Sequence, residues 1–315
     1  MNTTTLCARL KGAFVPVLAL TVLVSFLLPQ SANAKAGGIP AAPDHNPPFS
    51  AIVVIGDSLS DTGRTSAVLS QPGAPFPPPP YAPGRLSNGP LWIEQFAPMV
   101  RQVYQPLDNF SWAGATTGTD NNYGPGLPGM LNELDELIGS PPTALDRKAL
   151  YVVFGGANDF AAILLGADPN TVIPAGVSNL ITTVVTLRTW GAENILVIDL
   201  PDIGRAPRAL AGGPALAAQA TLLSATFNSL LHDALNGLPF PVVRVSAFNL
   251  INDFVAHPKK YGFTNVTSPG ILDLANSDTY LFFDDIHPTT RAHRFIAREV
   301  FHALAAAGKL GQQKK

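Results

Sequence analysis

Residues 51–63 read AIVVIGDSLSDTG. Ala51 to Ile55 form an unbroken apolar run, four of its five residues β-branched, and the run stops at Gly56-Asp57-Ser58. A continuous apolar run, rather than alternation, marks a strand covered on both faces, as in a parallel sheet. Four further runs read the same way: Asp108–Trp112, Ala149–Phe154, Asn194–Leu200 and Pro241–Val245. Helical spacing fills the intervals. Residues 171–190 place Val177, Leu180, Ile181, Val184 and Val185 on one side; residues 214–236 open at Pro214; and Thr289 to Ala307 lines up Phe295, Ile296, Val300 and Leu304 before a stop at Gly308. Strands alternating with helices predict an α/β fold, a three-layer α/β/α sandwich around a mostly parallel sheet.

The composition supports one folded domain. The chain has 315 residues, of which 46% are hydrophobic and 13% charged, with a formal net charge of −2. That balance excludes a disordered chain, and so small a charge supplies no electrostatic footprint for nucleic acid. Proline is in excess, at 30 residues. The densest stretch, Pro72 to Pro90 (PGAPFPPPPYAPGRLSNGP), is too stiff and donor-poor for a helix or a central strand. It reads as a surface loop, an exposed polyproline segment for some partner, or a wall of a substrate site.

The N-terminus reads as a signal peptide over residues 1–34. Arg9 and Lys11 precede the apolar run Ala13 to Leu28, and Ala32-Asn33-Ala34 places small residues at the two positions a signal peptidase reads. An uncleaved anchor is the alternative, against which stand the short run and the interruption at Pro16. Cleavage after Ala34 removes two basic and no acidic residues, leaving 281 residues with a net charge of −4. It also removes Cys7, the single cysteine, so the exported chain would be free of disulfides in an extracellular or periplasmic compartment. Residues 35–48 form a proline-rich leader expected to be flexible, 49–308 a single domain and 309–315 a polar tail. No later stretch reaches 18 uninterrupted apolar residues, and the exported chain is expected to be soluble.

In an open α/β sheet, ligands bind beyond the carboxyl ends of the strands. The residues at the ends of the apolar runs are therefore informative: Gly56-Asp57-Ser58 after the first, Ala113-Gly114-Ala115-Thr116-Thr117 after the second, and Gly155-Gly156-Ala157-Asn158-Asp159 after the third. Near the C-terminus stands Phe283-Asp284-Asp285-Ile286-His287-Pro288. A serine nucleophile needs a base, and the base needs a third group to fix its tautomer. Ser58, His287 and Asp284 meet that requirement if the last two fold into one turn. The backbone N–H groups of Ser58 and Gly114 and the side-chain amide of Asn158 could serve as oxyanion donors. Each motif has a plainer reading. Gly-Asp-Ser occurs by chance, Gly-x-Asn-Asp can be an ordinary turn, and Asp-x-x-His-Pro can open the final helix. Joint occurrence in order, each after a strand, favours the chemistry. No serine lies in Gly-x-Ser-x-Gly, so the nucleophile elbow of the α/β-hydrolases is absent.

The chain resembles the GDSL or SGNH hydrolases through Gly56-Asp57-Ser58-Leu59-Ser60-Asp61-Thr62-Gly63, Trp112 to Thr117, Gly156-Ala157-Asn158-Asp159 and Asp284 to Thr289. Tyr81 to Glu94 and Leu200-Pro201-Asp202-Ile203-Gly204 resemble the secreted lipase-like branch. The resemblance spans roughly residues 50–305. It implies a flavodoxin-like sheet and cleavage of esters or thioesters without metal or other cofactor. Ser58 would be the nucleophile, His287 the base and Asp284 its partner, with Ser58, Gly114 and Asn158 as the oxyanion hole. Tyr81, Arg85 and Asn88 would lie in the substrate cleft.

The expected partner is a lipid or small acyl ester, met in solution or in transient contact with a lipid surface. Two rivals are an acyltransferase using the same site and a non-catalytic lipid- or carbohydrate-binding module. His45, His232, His257, His293 and His302 stand without paired ligands in the sequence and are not expected to bind metal. Asp57 and Asp61 are expected to brace the turn around Ser58, and Trp92 and Trp112 to be core residues.

Overall fold

The computed structural model describes residues 47–310. The expected signal peptide, nearly all of the leader with His45, and residues 311–315 of the tail lie outside the described residues. Within them, β1 (Ile52–Gly56), β2 (Leu150–Phe154), β3 (Asn194–Ile198) and β4 (Val243–Val245) pair in parallel in the order β1-β2-β3-β4. The register runs Ile52 opposite Leu150 and Leu150 opposite Asn194.

The pleat sends alternate side chains to opposite faces, and both faces are covered. Val53, Ile55, Tyr151, Val153, Ile195 and Val197 pack with α3 (Met130–Ile138), α5 (Pro169–Thr189) and α7 (Pro214–Asn236). Val54, Leu150, Val152, Phe154, Leu196 and Ile198 pack with α2 (Trp92–Phe96) and α10 (Thr290–Ala306). This double cover is why the strands read as unbroken apolar runs. By length and composition α5 could cross a membrane. Here it buries Ile173, Val177, Leu180, Val184 and Leu187 against the sheet.

The expected strand at Asp108–Trp112 does not form. Pro106 opens a 3-10 turn through Asp108, and the segment then runs beside β1. Phe110 N–H donates to Val54 O at 2.8 Å and Trp112 N–H to Gly56 O at 3.2 Å. Two side chains break the ladder: Asn109 Oδ1 takes the Ser111 N–H at 3.1 Å, and the Glu133 carboxylate shares the Trp112 N–H at 3.1 Å. The segment still occupies the outer edge of the sheet. In chain order the sheet therefore runs 2-1-3-4-5, the flavodoxin-like arrangement, with its switch point at the carboxyl end of β1.

The remaining helices are α1 (Arg64–Leu69), α4 (Phe160–Leu164), α6 (Pro207–Ala211), α8 (Ala247–Ala256) and α9 (Pro258–Tyr261). A small parallel pair, β5 (Asn265–Pro269) and β6 (Tyr280–Phe282), was not legible as strands in the sequence. It delivers the chain to Phe283 and the turn that holds His287.

Candidate active site

The chain leaves β1 in a tight turn. Asp57 O accepts from Ser60 N and Asp61 N, and Asp57 Oδ1 accepts from Leu59 N at 3.0 Å, which leaves Ser58 half-buried at the apex. Asp61 fixes the next turn, accepting from Gly63 N and Arg64 N at 2.8 Å, and its other oxygen takes Ala113 N at 2.9 Å. The two aspartates brace local backbone, as expected.

The C-terminal turn closes through Phe283 N–H to His287 O at 2.7 Å. Asp284 Oδ1 accepts the backbone N–H groups of Ile286 and His287 at 2.8 and 2.6 Å, and Oδ2 lies 2.7 Å from His287 Nδ1. The other ring nitrogen, Nε2, is 3.0 Å from Ser58 Oγ. Asp284 does not cap α10, whose N-cap is Thr289. Burial alone would raise the Asp284 carboxyl, but the His287 charge and the hydrogen bonds from His287 and Ile286 outweigh it and hold the group at about 2. Asp285, one residue on, turns away and pairs with Arg208 at 2.7 Å.

The expected oxyanion donors lie on three linked loops. Gly114 has φ +81°, and a Cβ there would come within 2.5 Å of Asn121 Oδ1 and the Tyr123 ring, so both conformation and space require glycine. Among the described residues, neither Ser58 N–H nor Gly114 N–H has an acceptor within the chain. Asn158 Nδ2 spends one hydrogen on Ala115 O at 3.0 Å and keeps a second free. Asn122 ties these loops together: its backbone N–H donates to Gly114 O at 2.9 Å and its Nδ2 to Asn158 O at 2.9 Å.

The sequence reading missed Asn122 and the buried acid Glu133, and gave no role to the half-buried acid Asp159. Glu133 on α3 is fully buried and accepts Gly56 N at 2.8 Å and Trp112 N at 3.1 Å, joining the roots of the Ser58 and Gly114 loops. Asp159 accepts Thr117 N and Thr117 Oγ1 at 2.9 and 2.6 Å. Burial raises Asp57 to about 6 and pushes Glu133 and Asp159 upward as well. Nothing in a single sequence marks Glu133, one of three acids in the run NELDEL.

Ser58, Asn158 and His287 line one cleft of about 180 Å³. Its other walls are largely apolar, from Phe160 and Leu164 of α4, Ile203, Ala206, Ile251 of α8 and Ile286, with Asn122, Asp202 and Arg208 among them. Tyr81, Arg85 and Asn88 do not line it. Arg85 forks onto Glu94, with Nε 2.8 Å from Oε2 and Nη2 2.5 Å from Oε1. Asn88 donates to Asp278 Oδ1 at 2.7 Å and accepts from Thr290 N at 2.8 Å. The Tyr81 hydroxyl donates to Asp284 Oδ2 at 2.8 Å. The proline-rich stretch is thus a surface loop clasped to the His287 turn, with Ser87 Oγ donating to Pro288 O at 2.9 Å.

Two of the remaining histidines pair with one carboxylate each, a difference from the expected isolation. His232 Nε2 lies 3.2 Å from Asp199 and His257 Nδ1 2.6 Å from Asp253. Among the described residues, His, Cys, Asp and Glu side chains form no group of three or more able to hold a metal. Trp92 is fully buried, its indole N–H on Ser60 Oγ at 3.0 Å; Trp112 is half-buried against the core.

Comparison with known proteins gives concordant results. An uncharacterized protein of Pseudomonas putida is 28% identical over 84% of this chain and 50% of its own length. The phosphatidylcholine-sterol acyltransferase of Aeromonas hydrophila is 29% identical over 71% of this chain and 66% of its own. A GDSL esterase/lipase of Arabidopsis thaliana is 25% identical over 81% of this chain and 79% of its own. The chain spans half to two thirds of the length of the first two relatives. Residues 52–300 match the GDSL-like lipase/acylhydrolase family, and the chain belongs to that family.

Proposed function

We propose that the chain is an exported serine hydrolase of carboxylic esters that works through an acyl-enzyme. The observation that carries this reading is the unbroken relay from Ser58 Oγ through His287 to Asp284, at 3.0 and 2.7 Å. His287 Nε2 takes the hydroxyl proton as Ser58 Oγ bonds to the ester carbonyl. The negative charge gathers on the carbonyl oxygen among Ser58 N–H, Gly114 N–H and the free hydrogen of Asn158 Nδ2. Collapse expels the alcohol, which leaves with the proton from His287. Water then repeats the sequence and releases the acid. No metal or cofactor enters any step.

The largely apolar walls from Phe160 to Ile286 suit an acyl chain. Leu164 is 68% exposed at the cleft and Leu165 beside it 90%, which supports transient contact with a lipid surface. The Aeromonas relative's name favours a second reading, acyl transfer, in which an acceptor alcohol replaces water at deacylation.

A p-nitrophenyl ester series tests the reading. Active protein should give a burst of nitrophenolate, an organophosphate should add its mass at Ser58, and Ser58→Ala should leave background rates. Wild-type activity in Ser58→Ala refutes the site, and absence of hydrolysis together with absence of labelling favours the binding module. Ester products formed with added alcohol identify transfer. Export predicts a mature N-terminus at Lys35 by mass analysis; an intact Met1 in the exported fraction contradicts it.

A further inference from the structure

The Asp284 carboxylate has four donors, and one comes from far away. Its Oδ1 accepts from the backbone of Ile286 and His287, and its Oδ2 from His287 Nδ1. The fourth donor, the Tyr81 hydroxyl, reaches the same Oδ2 at 2.8 Å from 203 residues away. With two acceptor positions per oxygen, the carboxylate is then filled.

We propose that Tyr81 is a positioning residue of the active site, whose hydroxyl holds Asp284 in plane with the imidazole and sets how much negative charge faces His287 Nδ1. The proposal rests on the reading of Ser58, His287 and Asp284 as the catalytic relay. It also gives the proline-rich loop a use other than contact with substrate.

The loop is built to hold the hydroxyl still. The Tyr81 ring meets the fully buried Phe283 edge-on at 5.1 Å. Beyond the ring, Ala82 N donates to Ser87 O at 2.9 Å. Ser87 Oγ and Asn88 Oδ1 fasten the loop to Pro288 O and Thr290 N, on the far side of His287. Burial and the Asp284 charge push the Tyr81 phenol well above its ordinary range, so it stays protonated and donates at every working pH. A donor on Oδ2 draws charge from the atom that His287 must share. The tyrosine therefore restrains the rotation of Asp284 and limits the basicity it confers on the imidazole.

Tyr81→Phe keeps the ring and removes only the donor. We expect a kcat three- to ten-fold lower with KM within twofold, because the loss falls on orientation in the transition state. More charge is left on Oδ2, so imidazolium is held more tightly and the acidic limb of kcat/KM moves up by about half a pH unit. The low-field Nδ1 proton resonance of His287 should move further downfield, a readout that needs no substrate. Asp57 and His293 lie within electrostatic reach of His287 and Tyr123 within reach of Asp284, with the Asp285–Arg208 pair alongside, and the substitution leaves all of them in place.

A higher KM with kcat and the acidic limb unchanged would make Tyr81 a substrate contact and overturn the proposal. Wild-type values and an unmoved resonance in Tyr81→Phe, beside a defect in Tyr81→Ala, would reduce the residue to ring packing and overturn it too. Ser58→Ala is the separate control: full hydrolysis there fails the catalytic reading itself, whereas the resonance still reports whether Tyr81 governs Asp284 and His287.

Discussion

The buried carboxylate of Glu133 accepts the backbone N–H of Gly56 at 2.8 Å, two residues before Ser58 and 77 residues away in the chain. Its other oxygen takes Trp112 N–H, two residues before Gly114. One side chain thus joins the roots of two loops that carry oxyanion donors. Glu133→Gln keeps one acceptor and turns an amide N–H₂ toward a backbone N–H. A buried donor left without a partner costs about 1–3 kcal/mol. We expect a lower Tm, and a kcat reduced about ten-fold even where the variant is fully folded. Unchanged kcat in folded protein would limit Glu133 to stability.

Asp284 and Asp285 should separate cleanly. Asp284→Asn leaves His287 to choose the wrong tautomer, a change that costs about 10⁴ in turnover in the best-studied serine triad. We expect at least a tenfold loss. Asp285 pairs with the exposed Arg208, and an exposed pair is worth about 1 kcal/mol at most. Asp285→Asn should therefore cost less than about fivefold. Turnover of both variants on one soluble ester decides, with circular dichroism to confirm folding.

The cleft sets a ceiling on acyl length. At about 180 Å³ and with largely apolar walls, it takes a medium-length acyl chain rather than a long one. Each buried methylene contributes about 0.8 kcal/mol. Accordingly kcat/KM on p-nitrophenyl esters should climb from acetate to about octanoate and fall by palmitate. Ile251→Trp, on the α8 wall, should shift the optimum toward acetate. A monotonic rise to palmitate would mean that the chain lies elsewhere.

His293 predicts acid sensitivity. Burial, and then the His287 charge, press it down to about 3, and its Nδ1 has no partner among the described residues. Between pH 6.5 and 3 the unfolded chain binds a proton there that the folded chain refuses, so stability falls as pH falls through that window. Asp57, raised to about 6, acts oppositely between pH 6 and 3.8. His293→Leu should match the wild-type Tm at pH 7 and exceed it by several degrees at pH 4.5. An equal acid drop in both proteins would exclude His293 as the cause.

Much of this molecule is written locally. The strands β1 to β4 and the long helices α5, α7 and α10 follow from apolar runs and periodicity, because a residue's burial on a doubly covered strand or a helix face depends on its immediate spacing. Ser58, Asp284 and His287 were also legible, since each sits at the end of such a run or within one turn of its partner. Four features became visible only in the tertiary structure: the frayed edge at 108–112, the pairing of Arg85 with Glu94, the reach of Tyr81 to Asp284, and the burial of Glu133 beneath Gly56 and Trp112. The reason is common to all four. A buried or half-buried polar group is stable only when partners satisfy it; here those partners come from other loops and helices, 9 to 203 residues away. No periodic pattern in the chain encodes such a match.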